Sequence, residues 1–137
     1  MLYKIDSKKE LAQIGRELES TAQKHTFGVL AVHDLRAKMR EKGAEFQGEC
    51  LIYEVCNPFQ AKKILENNLE LSTVLPCRIS VYRTEHGYAL ATLKPTSLVE
   101  LFQSEGLRAV AEEVERTIAS IMQEAASPGL ETAQVAD

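Results

Sequence analysis

With 137 residues and 15.3 kDa the chain is the size of one domain, and 45% hydrophobic with 26% charged residues is the composition of a folded globular protein. Sixteen Lys and Arg against twenty Asp and Glu leave a net charge of −4, which argues against nucleic acid as a general partner. No apolar run approaches the roughly 18 residues of a membrane span, and the first ten residues lack the apolar core of an export signal, so a cytoplasmic location with no membrane partner is expected.

Leu2 to Ile5 is a short apolar segment that reads as an edge strand. Asp6 or Ser7 then offers a side-chain oxygen to cap a helix. Leu11, Ile14, Leu18 and Ala22 recur at helical spacing, so an amphipathic helix is predicted over residues 7–24. Phe27 to His33 is apolar on both parities and reads as a buried strand. From Asp34 to Lys42 the chain is basic and helical, and Gly43 can end that helix. Arg36, Lys38, Arg40 and Lys42 are spaced by two, which spreads charge around a helix, and no aromatic residue interleaves with them to stack bases.

Residues 49–56 form a second strong strand, broken by Asn57-Pro58, which starts a helix carrying Phe59, Ala61, Ile64 and Leu65. Pro76 restarts the chain in an extended form. Cys77 to Arg83 and Tyr88 to Leu93 are the arms of a hairpin around Thr84-Glu85-His86-Gly87. Lys94-Pro95 stops it, and Thr96 or Ser97 can cap the next segment. A long helix starting at Ser104 or Glu105 places Leu107, Val110, Ala111, Val114, Ile118, Ile121 and Met122 on one stripe. Residues 1–126 are thus one domain, and residues 127–137, with Pro128-Gly129, read as a disordered tail.

The order β-α-β-β-α-β-β-α, with a closing hairpin, predicts an α+β fold of two layers, helices covering a mostly antiparallel sheet. A doubly wound fold is disfavoured, because no Gly-x-Gly-x-x-Gly turn follows a strand. Walker-type phosphate loops and Gly-x-Ser-x-Gly elbows are absent as well.

Three cysteines, Cys50, Cys56 and Cys77, include no Cys-x-x-Cys pair and argue against a disulfide scaffold. Cys50 and Cys56 share one strand at a separation of about 20 Å, too far for a bridge, and Cys50 reads as a packing residue. Cys56 and Cys77 differ from it. One closes a strand and the other opens one, so antiparallel neighbours would bring both thiols to the same end of the sheet. Cys56 also precedes a helix start, whose amides are expected to lower its pKa. Such a pair could hold a soft transition metal, close a reversible disulfide or carry a persulfide. Two small buried side chains filling a strand–helix junction is the competing reading. His33, next to Asp34, is a candidate third metal ligand, or a general base held by a carboxylate. His25 and His86 are expected at the surface. Glu49 and Glu54 differ in strand parity and cannot form an acid–base pair.

The run Glu54-Val55-Cys56-Asn57-Pro58, then Ala61, Leu65 and Leu75-Pro76-Cys77-Arg78-Ile79-Ser80-Val81-Tyr82, resembles the prokaryotic family known as domain of unknown function 302. The resemblance spans roughly residues 7–122 and lies in the branch with Cys at both positions 56 and 77. It implies an α+β sandwich that tends to form homodimers, and it implies no activity. Three functions therefore stay open. The first is a binding or sensing module with Cys56, Cys77, Asn57 and Pro58 at a metal, redox or small-molecule site. The second is an interaction homodimer with no ligand site. The third is an enzyme working on a small substrate near Asn57-Pro58.

Overall fold

A computed structural model describes residues 1–127. Residues 128–137 of the expected tail lie outside the described residues. The strands are β1 (Leu2–Ser7), β2 (Gly28–Asp34), β3 (Cys50–Cys56), β4 (Cys77–Thr84) and β5 (Gly87–Leu93). The helices are α1 (Leu11–Lys24), α2 (Leu35–Glu41), α3 (Pro58–Asn67), α4 (Pro95–Leu101) and α5 (Arg108–Ala126), with 3-10 turns at Leu69–Val74 and Glu105–Leu107. The five strands form one sheet in the order β1-β5-β4-β3-β2, every pair antiparallel. This is the expected α+β class.

Alternation along the strands decides which side is core. Tyr53 and Val55 of β3, Ile79 and Val81 of β4 and Tyr88 and Leu90 of β5 are buried on one face. Ile14, Leu18 and Ala22 of α1 and Val114, Ile118, Ile121 and Met122 of α5 pack onto them. The stripes of both helices repeat every three or four residues, so each presents one apolar side to the sheet. Lys4, Glu54, Arg78 and Tyr82 have the opposite parity and point away from that layer.

Several expectations need correction. Phe27 to His33 is not a buried strand: β2 is an edge, and Leu30 and Val32 are 62% and 44% exposed. Apolar residues on both parities do not distinguish a centre strand from an edge strand, because neighbours are set by the whole chain. Neither Asp6 nor Ser7 caps α1, which begins only at Leu11 after Glu10. Ser7 remains in β1, its hydroxyl donating to the Ala126 carbonyl at 2.7 Å and accepting from the Lys9 amide. A separate helix, α4, precedes the last one, which starts at Arg108 rather than Ser104 or Glu105. Thr96 does not cap α4, since its amide and hydroxyl donate to Glu115 of α5 at 3.1 and 2.7 Å. His25 is half-buried rather than at the surface, with Nε2 2.9 Å from Glu124 Oε2, and so joins α1 to α5.

Candidate functional site

The site begins at the corner where β3 becomes α3. Cys56 is the last residue of β3, and Asn57 is the N-cap of α3. Asn57 Oδ1 accepts from the amides of Phe59 at 3.0 Å and Gln60 at 3.2 Å, and Pro58 fills the first helical position, where no amide is needed. Asn57 Nδ2 donates to Thr26 Oγ1 at 3.3 Å, which ties the corner to the turn before β2. Thr26 has φ +64, rare for a β-branched residue, and holds Phe27 against the same corner.

Cys77 opens β4 directly after Leu75-Pro76. Val55 pairs with Cys77 and Gly28 with Cys56, so the two cysteines are diagonal neighbours on adjacent strands. Strict alternation would put them on opposite faces. Cys56 is at the end of its strand, however, and both cysteines line one small cleft together with Phe27, Val55, Asn57 and Gln60. All three cysteines are free.

Burial pushes the Cys56 thiol above its ordinary range. Cys77 is pushed up to about 11, first by burial and then by the negative charge Cys56 would carry as a thiolate. The expected lowering of Cys56 by the helix start is therefore overturned. The first-turn amides that would stabilise a thiolate are already taken by Asn57. Both sulfurs are thus neutral thiols near pH 7, poor nucleophiles and poor metal ligands until deprotonated.

His33 does not join them. It pairs with Ile52, five residues along β2 from Gly28, about 16 Å at the usual strand rise. Its Nε2 lies 3.0 Å from Glu54 Oε2, and Arg78 Nη2 lies 3.7 Å from the same oxygen. The carboxylate that holds His33 is Glu54 across the ladder, not Asp34, which caps α2 by accepting from the Ala37 amide. Among the described residues no group of three or more His, Cys, Asp or Glu is placed to hold a metal ion. Glu49 and Glu54 are separate, as their parity requires: Glu49 accepts from Arg83 at 2.9 Å and from the Tyr88 hydroxyl. Cys50 lies with its sulfur 3.8 Å from Ser80 Oγ, away from the cleft.

One lining residue was not a candidate from sequence. Gln60 Oε1 is buried and has no hydrogen-bond partner among the described residues. A glutamine in a polar helical stretch reads as solvated; only the docking of α3 over the strand ends buries it.

A family model described as a domain of unknown function, DUF302, matches residues 3–125. The chain belongs to the DUF302 family. A similar solved structure is the crystal structure of an uncharacterized conserved DUF302 protein from Bacillus stearothermophilus. It is 30% identical, has a TM-score of 0.85, and the match covers 90% of this chain and 97% of that one. No curated protein matches the chain. No helix of the described residues is long and apolar enough to cross a membrane.

Proposed function

We propose that this DUF302 domain is a small-ligand binding domain whose site is the cleft at the β3–α3 corner. Cys56, Cys77 and Asn57 wall it, and Pro58 sets the start of its helical roof. The observation that carries the reading is that two thiols from different strands line one cleft despite opposite strand parity. The sulfurs serve as soft, uncharged contact surface. Metal binding and disulfide closure are supported less, because both need a thiolate that burial opposes. Catalysis is supported least, since the cleft walls carry no acid or base besides the thiols. Small neutral fragments should protect Cys56 from iodoacetamide and shift the NMR signals of Val55 and Ala61. If no fragment does either, and serine at position 56 or 77 changes only stability, the thiols are filler and the reading is wrong.

A homodimer is a second proposal, favoured by the free edge of β2 with its exposed Leu30 and Val32. An open strand edge with apolar side chains is a template for a second copy of the same chain. The apolar stripe of α5 is already covered by α1, α4 and the sheet and gives no support. Light scattering is expected to give about twice 15.3 kDa at micromolar concentration, and Leu30→Lys should halve that mass. A monomeric wild type would refute this arrangement.

A further inference from the structure

The outer cleft has a neighbour. A second, inner cavity, of about 40 Å³ against about 20 Å³ for the first, adjoins it and is lined by Leu71 and Val74 of the turn Leu69–Val74. Ile64, Leu75, Cys77 and Val114 line both, so the two adjoin across a wall that includes Cys77. Leu71 and Leu107 line the inner one. The one hydroxyl there, on Ser104, donates to the Phe102 carbonyl at 3.2 Å and is satisfied. No charged side chain among the described residues lines either compartment.

Polarity is confined to the outer compartment. Asn57 spends its carbonyl oxygen on two amides, whereas Gln60 Oε1, buried beside it, has no donor among the described residues. A buried acceptor left unpaired is costly, so native proteins nearly always supply a partner from the chain, from water or from a ligand. The inner volume exceeds what one water needs, but its lining is almost wholly apolar and offers water only the Ser104 hydroxyl. The roof is a part of the fold able to give: α3 contains no fully buried residue, and Phe59 on its outer side is 77% exposed. Elements with few buried contacts open at the lowest free energy.

From this we infer that the site takes a small uncharged molecule with a short aliphatic chain and one N–H or O–H donor, the chain in the inner compartment and the donor on Gln60 Oε1. Primary amides and alcohols are the classes that fit. The inference rests on the binding reading above and adds the ligand's chemistry to it. An anion finds no cation in the walls, and an ether or ketone has no proton for Gln60.

Titration of the full chain with butyramide, 1-butanol, 2-pentanone and butyrate, read by calorimetry or methyl NMR, tests it. The amide and the alcohol should bind about tenfold more tightly than the ketone, the equivalent of one hydrogen bond to a buried acceptor, and butyrate should not bind. Gln60→Met keeps the length and removes the acceptor. It should erase that preference and raise the melting temperature of the unliganded protein by about 4 °C, because the orphan is gone. Equal affinities for ketone and alcohol in the wild type would overturn the donor assignment while the cleft remained a binding site. Absence of binding by any probe would overturn both readings. A water that stays on Gln60 Oε1 in a crystal structure with butyramide bound would also overturn the assignment.

Discussion

Replacing Ile121 by alanine is expected to lower the unfolding free energy by about 2–5 kcal/mol, a large share of the roughly 5–15 kcal/mol that holds a domain of this size. Ile121 is fully buried in the layer where α5 meets α1 and the sheet, in one cluster with Ile14, Leu18, Ile79 and Leu90. Every neighbour is itself held by a helix or by a ladder, so the site cannot collapse around the missing carbons. Urea denaturation should show a lower midpoint with an unchanged slope. Ile121→Val should cost only about 0.5–1.5 kcal/mol. Ile64→Ala on α3 should cost less than Ile121→Ala, because Ile64 is only partly buried and its helix packs loosely. A loss at Ile64 equal to that at Ile121 would show that α3 belongs to the main core and would remove the pliable roof from the binding argument.

What the sequence discloses here is periodicity, and what it conceals is anything decided by a distant partner. Ile14, Leu18 and Ala22 announce α1 because a four-residue repeat has one physical meaning. Ser7 looks like a cap because its chemistry suits one, yet its hydroxyl is spent on Ala126, 119 residues away. Thr96 shows the same effect through Glu115. The strand ends at Cys56 and Cys77 are legible from Asn57-Pro58 and Leu75-Pro76, and their place at one end of the sheet follows from antiparallel pairing of β3 with β4. The direction of their titration was not legible. A helix start argues for a thiolate, but burial and the prior claim of Asn57 on the amides depend on how α3 seats. His33 lies five residues along β2 from Gly28, about 16 Å at the usual strand rise, which is too far for a third ligand. Gln60 carried no signal, since the burial of one amide oxygen is a tertiary fact.

Stability should fall between about pH 9 and pH 11, chiefly because of Cys77. Its thiol has an ordinary value of 9.0 and is pushed up to about 11 in the folded chain, by burial first and by the neighbouring Cys56 second. The folded state therefore holds this proton more tightly than the unfolded state does. The contribution is complete below pH 9, where both states are protonated. It declines as the unfolded thiol ionises, and is gone once the folded thiol ionises too. Two units correspond to about 3 kcal/mol. Cys56 adds a loss of the same sign, smaller because it is less buried. Tyr53 and Tyr88 are also raised, both mainly by burial, but from an ordinary value of 10.0, so their losses start a unit higher. The window from pH 9 to 10 thus belongs to the cysteines. Urea midpoints measured every half unit from pH 7.5 to 10 should decline for the wild type and decline much less for Cys77→Ala, whose remaining loss is that of Cys56 and whose stability at pH 7.5 serves as its own reference. Cys56→Ala should retain most of the decline while moving its upper end to lower pH, since one cause of the Cys77 shift is removed. A wild type as stable at pH 10 as at pH 8, or a Cys77 that reacts with Ellman's reagent in the folded protein at the rate of a free thiol, would show that this sulfur is open to solvent. The wall shared by the two cavities would then be wet rather than a packed, neutral thiol.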